Sequence, residues 1–538
     1  MTRRIKVSAC LNSTDSQIDV ALSLSSSLLS ICSTGAMSIM NPAVEWYMLV
    51  VAVLAYYATL AVYRLFLSPL ARFPGPKLAA ISRWYEAYYD VLQNGKYTLK
   101  IAQLHKQYGP IIRISPYELH VIDPAFFETL YRMDGRWDKY AWTYDAFGAS
   151  DSTLFGSGHD AHKLRRRAIA PFFSKPNVLA RQDTLQRNLD KLCRRISNLN
   201  GTTFNLGAAL SAFTRDNANE FIVGKTYNEL DLDDFGVGLS NASQGAGVFW
   251  RTTKHIRWFG PLLRAIPISL AMKSADDGTK SFLRYLQQSE QDTRDTLAAA
   301  TSSSPDSTVR NTMIYEIVHS NLPPQEKTLD RILQEVASAT GAGFETTAAA
   351  LRLILFHVYT STEILQHLRQ ELAPITSDPS GFLPLKELEQ LPYLTAVIME
   401  GMRLSPAIAT RAARITDKDL HYQQWLIPAG TPVGMTTYLM HIDETLYPEP
   451  MRFVLDRWIG PKRASEATYA PFSRGTRMCL GMHLAWAEMY LILAKLIPQF
   501  DFAIVGATAS DLEMERDNFG VGSKAGCNLN ARVTTLNI

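Results

Sequence analysis

The feature that most constrains what this chain can fold into is a cysteine between two glycines, directly before a long apolar stretch. Residues 471–481 read Pro-Phe-Ser-Arg-Gly-Thr-Arg-Met-Cys-Leu-Gly, and their cysteine is Cys479. Only two residues of the stretch 480–497 are charged, and Pro498 follows it. This pattern predicts a buried helix that ends at Pro498, with Cys479 just before its first turn.

The residues around Cys479 suit a flat, anionic ligand that is bound through sulfur. Unpaired N–H groups and the helix dipole attract anions to a helix N-terminus, which favours a metal-binding thiolate at Cys479. Gly475 and Gly481 lack a Cβ where the backbone must turn sharply or lie against something large. Phe472 adds an apolar wall and Arg477 a cation. This combination predicts haem with Cys479 on the iron, although a lone cysteine is more often a small buried hydrophobe.

Five spaced residues around this cysteine resemble the haem-binding signature of the cytochrome P450 family, F-x-x-G-x-R-x-C-x-G. They are Phe472, Gly475, Arg477, Cys479 and Gly481. The resemblance implies a mainly α fold with a small β part, in which one catalytic domain surrounds haem b. It also implies a haem-thiolate monooxygenase that uses dioxygen and electrons from NADPH, delivered by a partner reductase.

Composition excludes several other classes of protein. The net charge of +3 over 538 residues is close to balance, so nothing indicates a nucleic-acid-binding protein. The five cysteines are widely scattered and form no C-x-x-C pair. This spacing argues against a disulfide framework or a zinc site and favours a reducing compartment.

An uncharged run near the N-terminus predicts a membrane anchor. Residues 46–63 contain no charge, and as a helix they would measure about 27 Å, against roughly 30 Å for the hydrocarbon core of a bilayer. Glu45 precedes the run and Arg64 follows it, with further basic residues beyond. By the positive-inside rule we expect a single span over residues 45–67, with the catalytic domain in the cytosol. The family resemblance implies that the membrane is that of the endoplasmic reticulum. A cleaved signal peptide and a buried core helix are the alternatives.

The rest of the chain divides into three further segments. Residues 1–44 are Ser-rich and are interpreted as a disordered or mispredicted leader, so that Met37 or Met40 could be the true start. A glycosylation sequon begins at Asn12. Residues 68–80 form a Pro-rich hinge, and residues 81–538 form the haem-thiolate catalytic domain.

Secondary-structure signals in the catalytic domain are mainly helical, with one predicted β-hairpin. Residues 111–114 and 118–122 are rich in β-formers and are separated by Ser115-Pro116. The longest helical pattern begins near Leu329, and no proline occurs between Pro324 and Pro374.

Within this helical pattern, the segment Gly341-Ala-Gly-Phe-Glu-Thr-Thr347 is an unusual choice of residues. Glycines and β-branched threonines are poor helix formers, and a threonine hydroxyl can bond the carbonyl four residues back. A merely strained or exposed turn is the plain interpretation. The segment also resembles the family's A/G-G-x-D/E-T-T segment, which implies that Ala342 and Gly343 line the oxygen pocket. The same resemblance implies that Glu345 and Thr346 are catalytic and relay protons to dioxygen.

A carboxylate and a guanidinium three residues apart, Glu400 and Arg403, share one helix face. Such pairs are common on surfaces, but this one resembles the family's E-x-x-R, whose usual third partner would be Arg457. The resemblance implies a structural role as a buried ion network. Leu455 stands where the family commonly has proline.

The basic segment 162–167 admits two functions besides a solvated cationic face. The family's W-x-x-x-R helix contacts a haem propionate, and here His162 replaces the tryptophan while Arg166 keeps the arginine. Arg414 lies where another propionate-binding arginine is often found. The neighbouring side chains could form a docking face for an acidic reductase, namely Lys163, Arg165 and Arg167.

The expected substrate is a lipophilic small molecule that enters from membrane lipid. Resemblance places several aromatic or apolar side chains at the pocket: Phe147, Leu154, Phe155, Phe249, Trp250, Trp258 and Phe259. The residues in these motifs look most like those of fungal microsomal, trichodiene oxygenase-like members of the family. This likeness suggests terpenoid or polyketide secondary metabolism. The expected electron donors are NADPH-cytochrome P450 reductase and, as an additional partner, a cytochrome b-type protein. A reductase-independent haem-thiolate isomerase or dehydratase, and a non-catalytic haem-binding protein, remain alternatives.

Overall fold

The computed structural model describes residues 42–376, 381–460 and 464–536. Most of the expected leader, with Met37, Met40 and the Asn12 sequon, lies outside the described residues. Among the described residues, those from Arg64 onward form one compact unit, and those up to Tyr63 form a separate one.

The architecture is mainly α, as predicted. In chain order the helices are α1 (Pro42–Val62), α2 (Lys77–Ile81), α3 (Trp84–Ala87), α4 (Tyr97–Tyr108), α5 (Phe127–Leu130), α6 (Ala141–Tyr144), α7 (His159–Ile169), α8 (Lys175–Ala180), α9 (Gln182–Asn198), α10 (Leu206–Val223), α11 (Val237–His255), α12 (Phe259–Ala265), α13 (Ile268–Ser274), α14 (Asp277–Ala300), α15 (Ser307–Arg310), α16 (Met313–His319), α17 (Leu329–Thr360), α18 (Thr362–Thr376), α19 (Leu385–Leu388), α20 (Pro392–Leu404), α21 (Thr437–His441), α22 (Met482–Gln499) and α23 (Ala509–Leu512).

The β part is small and lies in four sheets. The strands are β1 (Ile111–Arg113), β2 (Leu119–Val121), β3 (Asp138–Lys139), β4 (Thr203–Asn205), β5 (Arg414–Ile415), β6 (Leu420–Tyr422), β7 (Trp425–Ile427), β8 (Val433–Gly434), β9 (Phe500–Ile504), β10 (Arg516–Asn518), β11 (Gly520–Gly522) and β12 (Asn530–Thr535). The largest sheet has the order β1-β2-β8-β5-β3, and a second has the order β4-β12-β9. The other two are the pairs β6-β7 and β10-β11. The predicted hairpin is confirmed, because β1 and β2 pair antiparallel with Ile112 opposite His120.

The N-terminal helix is exposed along its length. Within the described residues one helix, Ala43–Leu67, is long and apolar enough to cross a membrane, and none of its most apolar window is buried. Trp46 and Leu54 are 68% and 64% exposed. Because a core helix would bury such side chains, these values fit a membrane anchor better than the core-helix alternative.

Helix α17 carries the predicted long helical pattern over 32 residues. Its apolar residues recur every three or four positions and pack in the main hydrophobic core, together with α10, α20 and α22. The helix ends before Ser361, and α18 then leaves at an angle of 104°.

The apolar stretch after Cys479 forms α22, although its bounds differ from the prediction. The helix begins at Met482, with Gly481 as its N-cap residue, and it continues through Pro498 to Gln499. A proline in the last turn removes only one hydrogen bond of the helix, so Pro498 does not end it as we expected. The side chains from Ala487 to Ala494 are all buried, as predicted. In the expected hinge of residues 68–80, helix already begins at Lys77.

Candidate active site

The cysteine loop is held in place by backbone hydrogen bonds. The amide of Cys479 donates to the carbonyl oxygen of Phe472 over 2.9 Å, and the amide of Met478 donates to Gly475 over 3.1 Å. The amide of Thr476 donates to Arg132, outside the loop, over 3.1 Å. These bonds set the direction in which the cysteine side chain leaves the backbone.

The two glycines of the loop have different reasons to lack a side chain. Gly475 has a φ of +73°, and a Cβ there would lie 2.5 Å from the carbonyl oxygen of Arg132. No other residue fits that position without moving the backbone. Gly481 has an ordinary φ of −85°, and no described atom lies within 4 Å of the place where its Cβ would be. Its surroundings are open, which leaves room for a large neighbour.

The Cys479 side chain is accessible although it lies deep in the protein. It is exposed to solvent, yet burial raises the pKa of its thiol. Both properties hold for a sulfur atom that keeps some accessible surface while most of its surroundings are protein. A hydrogen bond from the Gly481 amide and the positive charge of Arg166 act in the opposite direction on this pKa. These two groups would stabilise a thiolate.

A cluster of basic side chains surrounds the loop. His162 and Arg166 come from α7, Arg414 from β5 and Arg477 from the loop, so the structure brings these four predicted residues together. Arg166 donates to Met478 over 2.8 Å, and Arg477 donates to Gly156 over 2.9 Å and to Ser157 over 2.7 Å. Arg414 also donates to backbone carbonyls. Among the described residues, no carboxylate forms an ion pair with any of these side chains.

The fifth member of the cluster, Lys139, was missed by the sequence analysis. It lies in β3 directly opposite Arg414 in β5, and its ammonium group donates to the carbonyl oxygen of Leu154. Like charges opposite one another in a sheet are destabilising, and this pair is buried. No local signal identifies Lys139, because its partner strand is far away in the chain.

The lowered pKa values of these basic side chains show that the cluster lacks a negatively charged partner among the residues that the structure describes. Burial, and then the neighbouring cations, lower the pKa of His162 to about 2 and the pKa of Arg477 to about 9. The same causes hold the pKa of Lys139 well below its usual value. The Nε atom of Arg477 is buried, and no described residue forms a hydrogen bond with it. Buried cations without acidic partners are costly, and an anionic ligand with carboxylates, such as haem, would relieve that cost.

Helix α17 contains small, exposed residues in the segment 341–347. Gly341 and Ala342 are exposed, and no described atom lies within 4 Å of a Cβ placed on Gly341. The hydroxyl of Thr346 donates to the carbonyl oxygen of Ala342 over 2.8 Å, the bond to the fourth residue back that the sequence predicts. Gly343 instead faces α10, where a Cβ would meet Ala218 at 3.0 Å. Gly341 is therefore an open position that the sequence analysis did not select.

Glu345 points toward α10 and two arginines. Its Oε2 atom accepts hydrogen bonds from Arg352 over 3.0 Å and from Ser211 over 3.1 Å, and its Oε1 atom lies 3.7 Å from the guanidinium of Arg215. Oε1 accepts no hydrogen bond from the described residues. One oxygen of this carboxylate is thus held in place while the other keeps its capacity to accept. The proton relay through Glu345 and Thr346 stays a prediction.

The structural trio is assembled around one carboxylate. Arg403 donates to both oxygens of Glu400, over 2.9 and 2.8 Å, and neither side chain has any exposed surface. Arg457 donates to Glu400 over 3.3 Å, and the indole of Trp458 donates over 2.9 Å. Leu455, in place of the family's proline, begins a short 3₁₀ turn that ends at Arg457.

Three other basic residues of α7, Lys163, Arg165 and Arg167, do not form one cationic surface. Lys163 and Arg167 are exposed, as a docking face requires. Arg165 is buried and forms a two-bond ion pair with Glu326, over 2.7 and 3.0 Å. The expectation that Arg165 belongs to a cationic surface is therefore wrong, because its charge is already paired inside the protein.

Known proteins resemble this chain over most of its length. A family model described as cytochrome P450 matches residues 84–526. The tryptophan 6-hydroxylase fscE of Fusarium equiseti is 36% identical over 489 residues, which cover 89% of this chain and 95% of that protein. The cytochrome P450 monooxygenase tpcC of Cochliobolus heterostrophus is 40% identical over 459 residues, covering 83% and 87%. The N-acetyltryptophan 6-hydroxylase ivoC of Emericella nidulans is 36% identical over 490 residues, covering 89% and 95%.

These matches confirm the resemblance to the cytochrome P450 family and the mainly α fold that the sequence predicts. They also confirm the resemblance to fungal members of the family. They imply a haem-iron cofactor, an electron supply from a redox partner and a small-molecule substrate. Because the family match covers most of the chain, this protein belongs to the cytochrome P450 family and is a monooxygenase.

Proposed function

We propose that this monooxygenase uses dioxygen and NADPH-derived electrons to hydroxylate or epoxidise a lipophilic small molecule in fungal secondary metabolism. The observation that carries the proposal is the accessible sulfur of Cys479, next to buried cations for which the described part of the chain supplies no acidic partner. The names of two similar proteins, a tryptophan and an N-acetyltryptophan 6-hydroxylase, support hydroxylation of a small organic substrate.

In this proposal the cofactor is haem b, and Cys479 would hold its iron through sulfur. When bound, a thiolate-ligated haem supplies dioxygen activation, because the thiolate favours cleavage of the O–O bond. The chain contributes the apolar wall of Phe472, the turn at Gly475 and the open space at Gly481. The side chains that would bind the propionates are His162, Arg166, Arg414, Arg477 and Lys139.

Proton supply is assigned to α17. The hydroxyl proton of Thr346 rests on the carbonyl oxygen of Ala342, from which it can turn toward a ligand in the open part of the helix. Ala342 would keep this part of the helix narrow, whereas Gly343 allows close packing against α10. Glu345 would accept a proton through its unbonded Oε1 atom, while Arg352 holds its other oxygen.

Electrons are proposed to come from NADPH-cytochrome P450 reductase, with a cytochrome b-type donor as an additional partner. The exposed Lys163 and Arg167 lie on α7, the helix that also carries His162 and Arg166. An acidic partner attracted to these cations would approach the cofactor from this side.

We assign the protein to the endoplasmic reticulum membrane, with a single span over residues 45–67 and a cytosolic catalytic domain. The exposed apolar helix and the basic residues that follow it support this assignment.

The test is the difference spectrum of the reduced, carbon-monoxide-bound protein. We expect the full chain, co-expressed with a reductase, to show the Soret band typical of thiolate ligation. Cys479→Ser should lack this band, whereas Cys193→Ala, at a buried cysteine in α9, should keep it. A band retained in Cys479→Ser would remove Cys479 as the ligand.

One observation favours a second candidate, a reductase-independent haem-thiolate isomerase or dehydratase. The ion pairs of Glu345 with Arg215 and Arg352 would suit an acid that does not move during turnover. Product formation without NADPH would establish this alternative, and strict NADPH dependence would exclude it.

A further inference from the structure

Four aromatic rings from distant parts of the chain meet in one cluster, which we call the ring cluster: Phe147, Phe155, Trp250 and Phe519. The rings of Phe147 and Phe155 are stacked, with centroids 4.3 Å apart. Phe519 meets Phe147 edge to face at 4.8 Å and meets Trp250 at 5.5 Å. The family resemblance places three of these residues, Phe147, Phe155 and Trp250, at the pocket.

One side of the ring cluster is buried and held by a hydrogen bond, and the other side is partly accessible. Trp250 is 1% exposed, and its indole N–H donates to the carbonyl oxygen of Thr143 over 2.9 Å. Phe147, Phe155 and Phe519 are only half-buried. Rings that served only to fill a core would be buried on all sides, so these three retain surface for another molecule.

The backbone at Phe519 is held in an unusual conformation. Its φ is +72°, a value that bulky residues rarely adopt. Its carbonyl oxygen accepts hydrogen bonds from the amides of Ala409 and Thr410, and its own amide donates to Asp517 over 2.8 Å. Strain of this kind persists where surrounding bonds impose it, and it frequently marks a ligand site.

Hydrogen bonds connect the segment that carries Phe155 to the candidate active site. Phe155 precedes Gly156 and Ser157, whose carbonyl oxygens accept hydrogen bonds from Arg477 of the cysteine loop. Shortly before Phe155, the amide and hydroxyl of Thr153 donate to Glu335 of α17. The segment that carries Phe155 is therefore tied to both α17 and the cysteine loop.

A second connection runs through Tyr144 and the basic cluster. The ammonium group of Lys139 lies 4.3 Å from the centroid of the Tyr144 ring, and that ring meets Phe519 edge to face at 5.9 Å. Tyr144 thus connects the ring cluster to Lys139 of the basic cluster.

We propose that the substrate carries a flat aromatic ring system, which binds against Phe147, Phe155 and Phe519. This inference rests on the proposed function and narrows its substrate class. Aromatic pairs are more stable than buried area alone predicts, because the edge of one ring is attracted to the face of another. A saturated substrate of the same size would gain only the free energy of burying its apolar surface. The rings are also rigid, so little conformational freedom is lost when they order a flat ligand.

The experiment compares binding of naphthalene with binding of decahydronaphthalene to the full-length ferric protein. The dissociation constants are measured by equilibrium dialysis and corrected for the partition of each probe between water and octane. We expect the wild type to prefer naphthalene by about tenfold, and Phe147→Leu and Phe155→Leu each to reduce this preference by about two- to tenfold, as loss of an aromatic pair implies. Affinity for decahydronaphthalene should change by less than about twofold, because leucine keeps the pocket apolar.

Phe204→Leu is the matched control. Phe204 is also half-buried, but it lies on β4, and its ring pairs with Phe235 at 6.1 Å and with Phe502 at 6.3 Å rather than with the ring cluster. It should keep the wild-type preference. An equal loss of affinity for both probes in Phe155→Leu would overturn the proposal. Equal affinity of the wild type for naphthalene and decahydronaphthalene would also overturn it. The carbon monoxide spectrum of the same preparations reports separately on the proposed function, and Phe155→Leu still tests the inference if Phe147→Leu fails to fold.

Discussion

The guanidinium of Arg166 donates a hydrogen bond of 2.8 Å to the carbonyl oxygen of Met478, the residue directly before Cys479. This bond connects α7 to the cysteine loop and places a positive charge close enough to lower the pKa of the Cys479 thiol. One side chain therefore positions the loop, favours a thiolate and adds to the cations available for an anionic cofactor.

Replacing Arg166 should weaken haem retention. Arg166→Gln removes the charge, and the purified protein should contain several-fold less haem, measured as the pyridine haemochrome per mole of protein. Arg167→Gln, at the exposed neighbour, is the control and should keep wild-type haem content. Equal haem content in both variants would contradict a cofactor-binding role for Arg166.

The hydroxyl of Thr346 should control how efficiently NADPH is used. Thr346→Ala removes the group that bonds Ala342, so product formed per NADPH oxidised should fall and hydrogen peroxide should rise. Thr346→Ser keeps a hydroxyl and should retain most of the coupling. If Thr346→Ala and the wild type are equally coupled, protons reach the site by another route.

Loss of the Glu400 carboxylate should destabilise the fold. In Glu400→Gln the guanidinium of Arg403 remains buried without its counter-charge, which typically costs about 3–5 kcal/mol. The denaturant midpoint of the solubilised protein should fall accordingly. Glu449→Gln is a matched control, because Glu449 and Arg452 form a pair of the same spacing with both side chains largely exposed. That variant should unfold like the wild type, and a similar midpoint for Glu400→Gln would contradict the structural role of the trio.

Glu488 predicts a specific dependence of stability on pH. Burial raises the pKa of its carboxyl group from 4.5 to about 8, although Asn217 and Thr347 form hydrogen bonds with it. Between pH 4.5 and 8 the folded protein holds a proton that the unfolded chain has released. Its contribution to the free energy of unfolding is therefore present at low pH and is lost as the pH rises through this window.

The isosteric variant Glu488→Gln tests this dependence because it cannot ionise. Its free energy of unfolding should decrease less between pH 5 and pH 8 than that of the wild type, as measured by denaturant titration at each pH. Parallel curves for the two proteins would show that Glu488 has no raised pKa in the folded state.

Local patterns in the sequence were sufficient for much of the fold. The hairpin of β1 and β2 follows from short β-rich runs on either side of Ser115-Pro116, and the register is set within eleven residues. Helix α17 follows from a 3.6-residue period without prolines, and the bond from Thr346 to Ala342 follows from the geometry of one helical turn. The loop around Cys479 was identified because all its motif residues lie within ten positions.

Only the tertiary structure decided which distant residues meet at the site. Lys139 faces Arg414 across a sheet, Arg165 is paired with Glu326, and Phe519 completes the ring cluster. None of these contacts has a periodic or short-range signature. The sequence determined this protein's family and its cysteine loop through interactions between near neighbours. Packing between remote segments determined which charges are paired and which rings stay accessible, because burial and Coulomb energy depend on distances in space rather than along the chain.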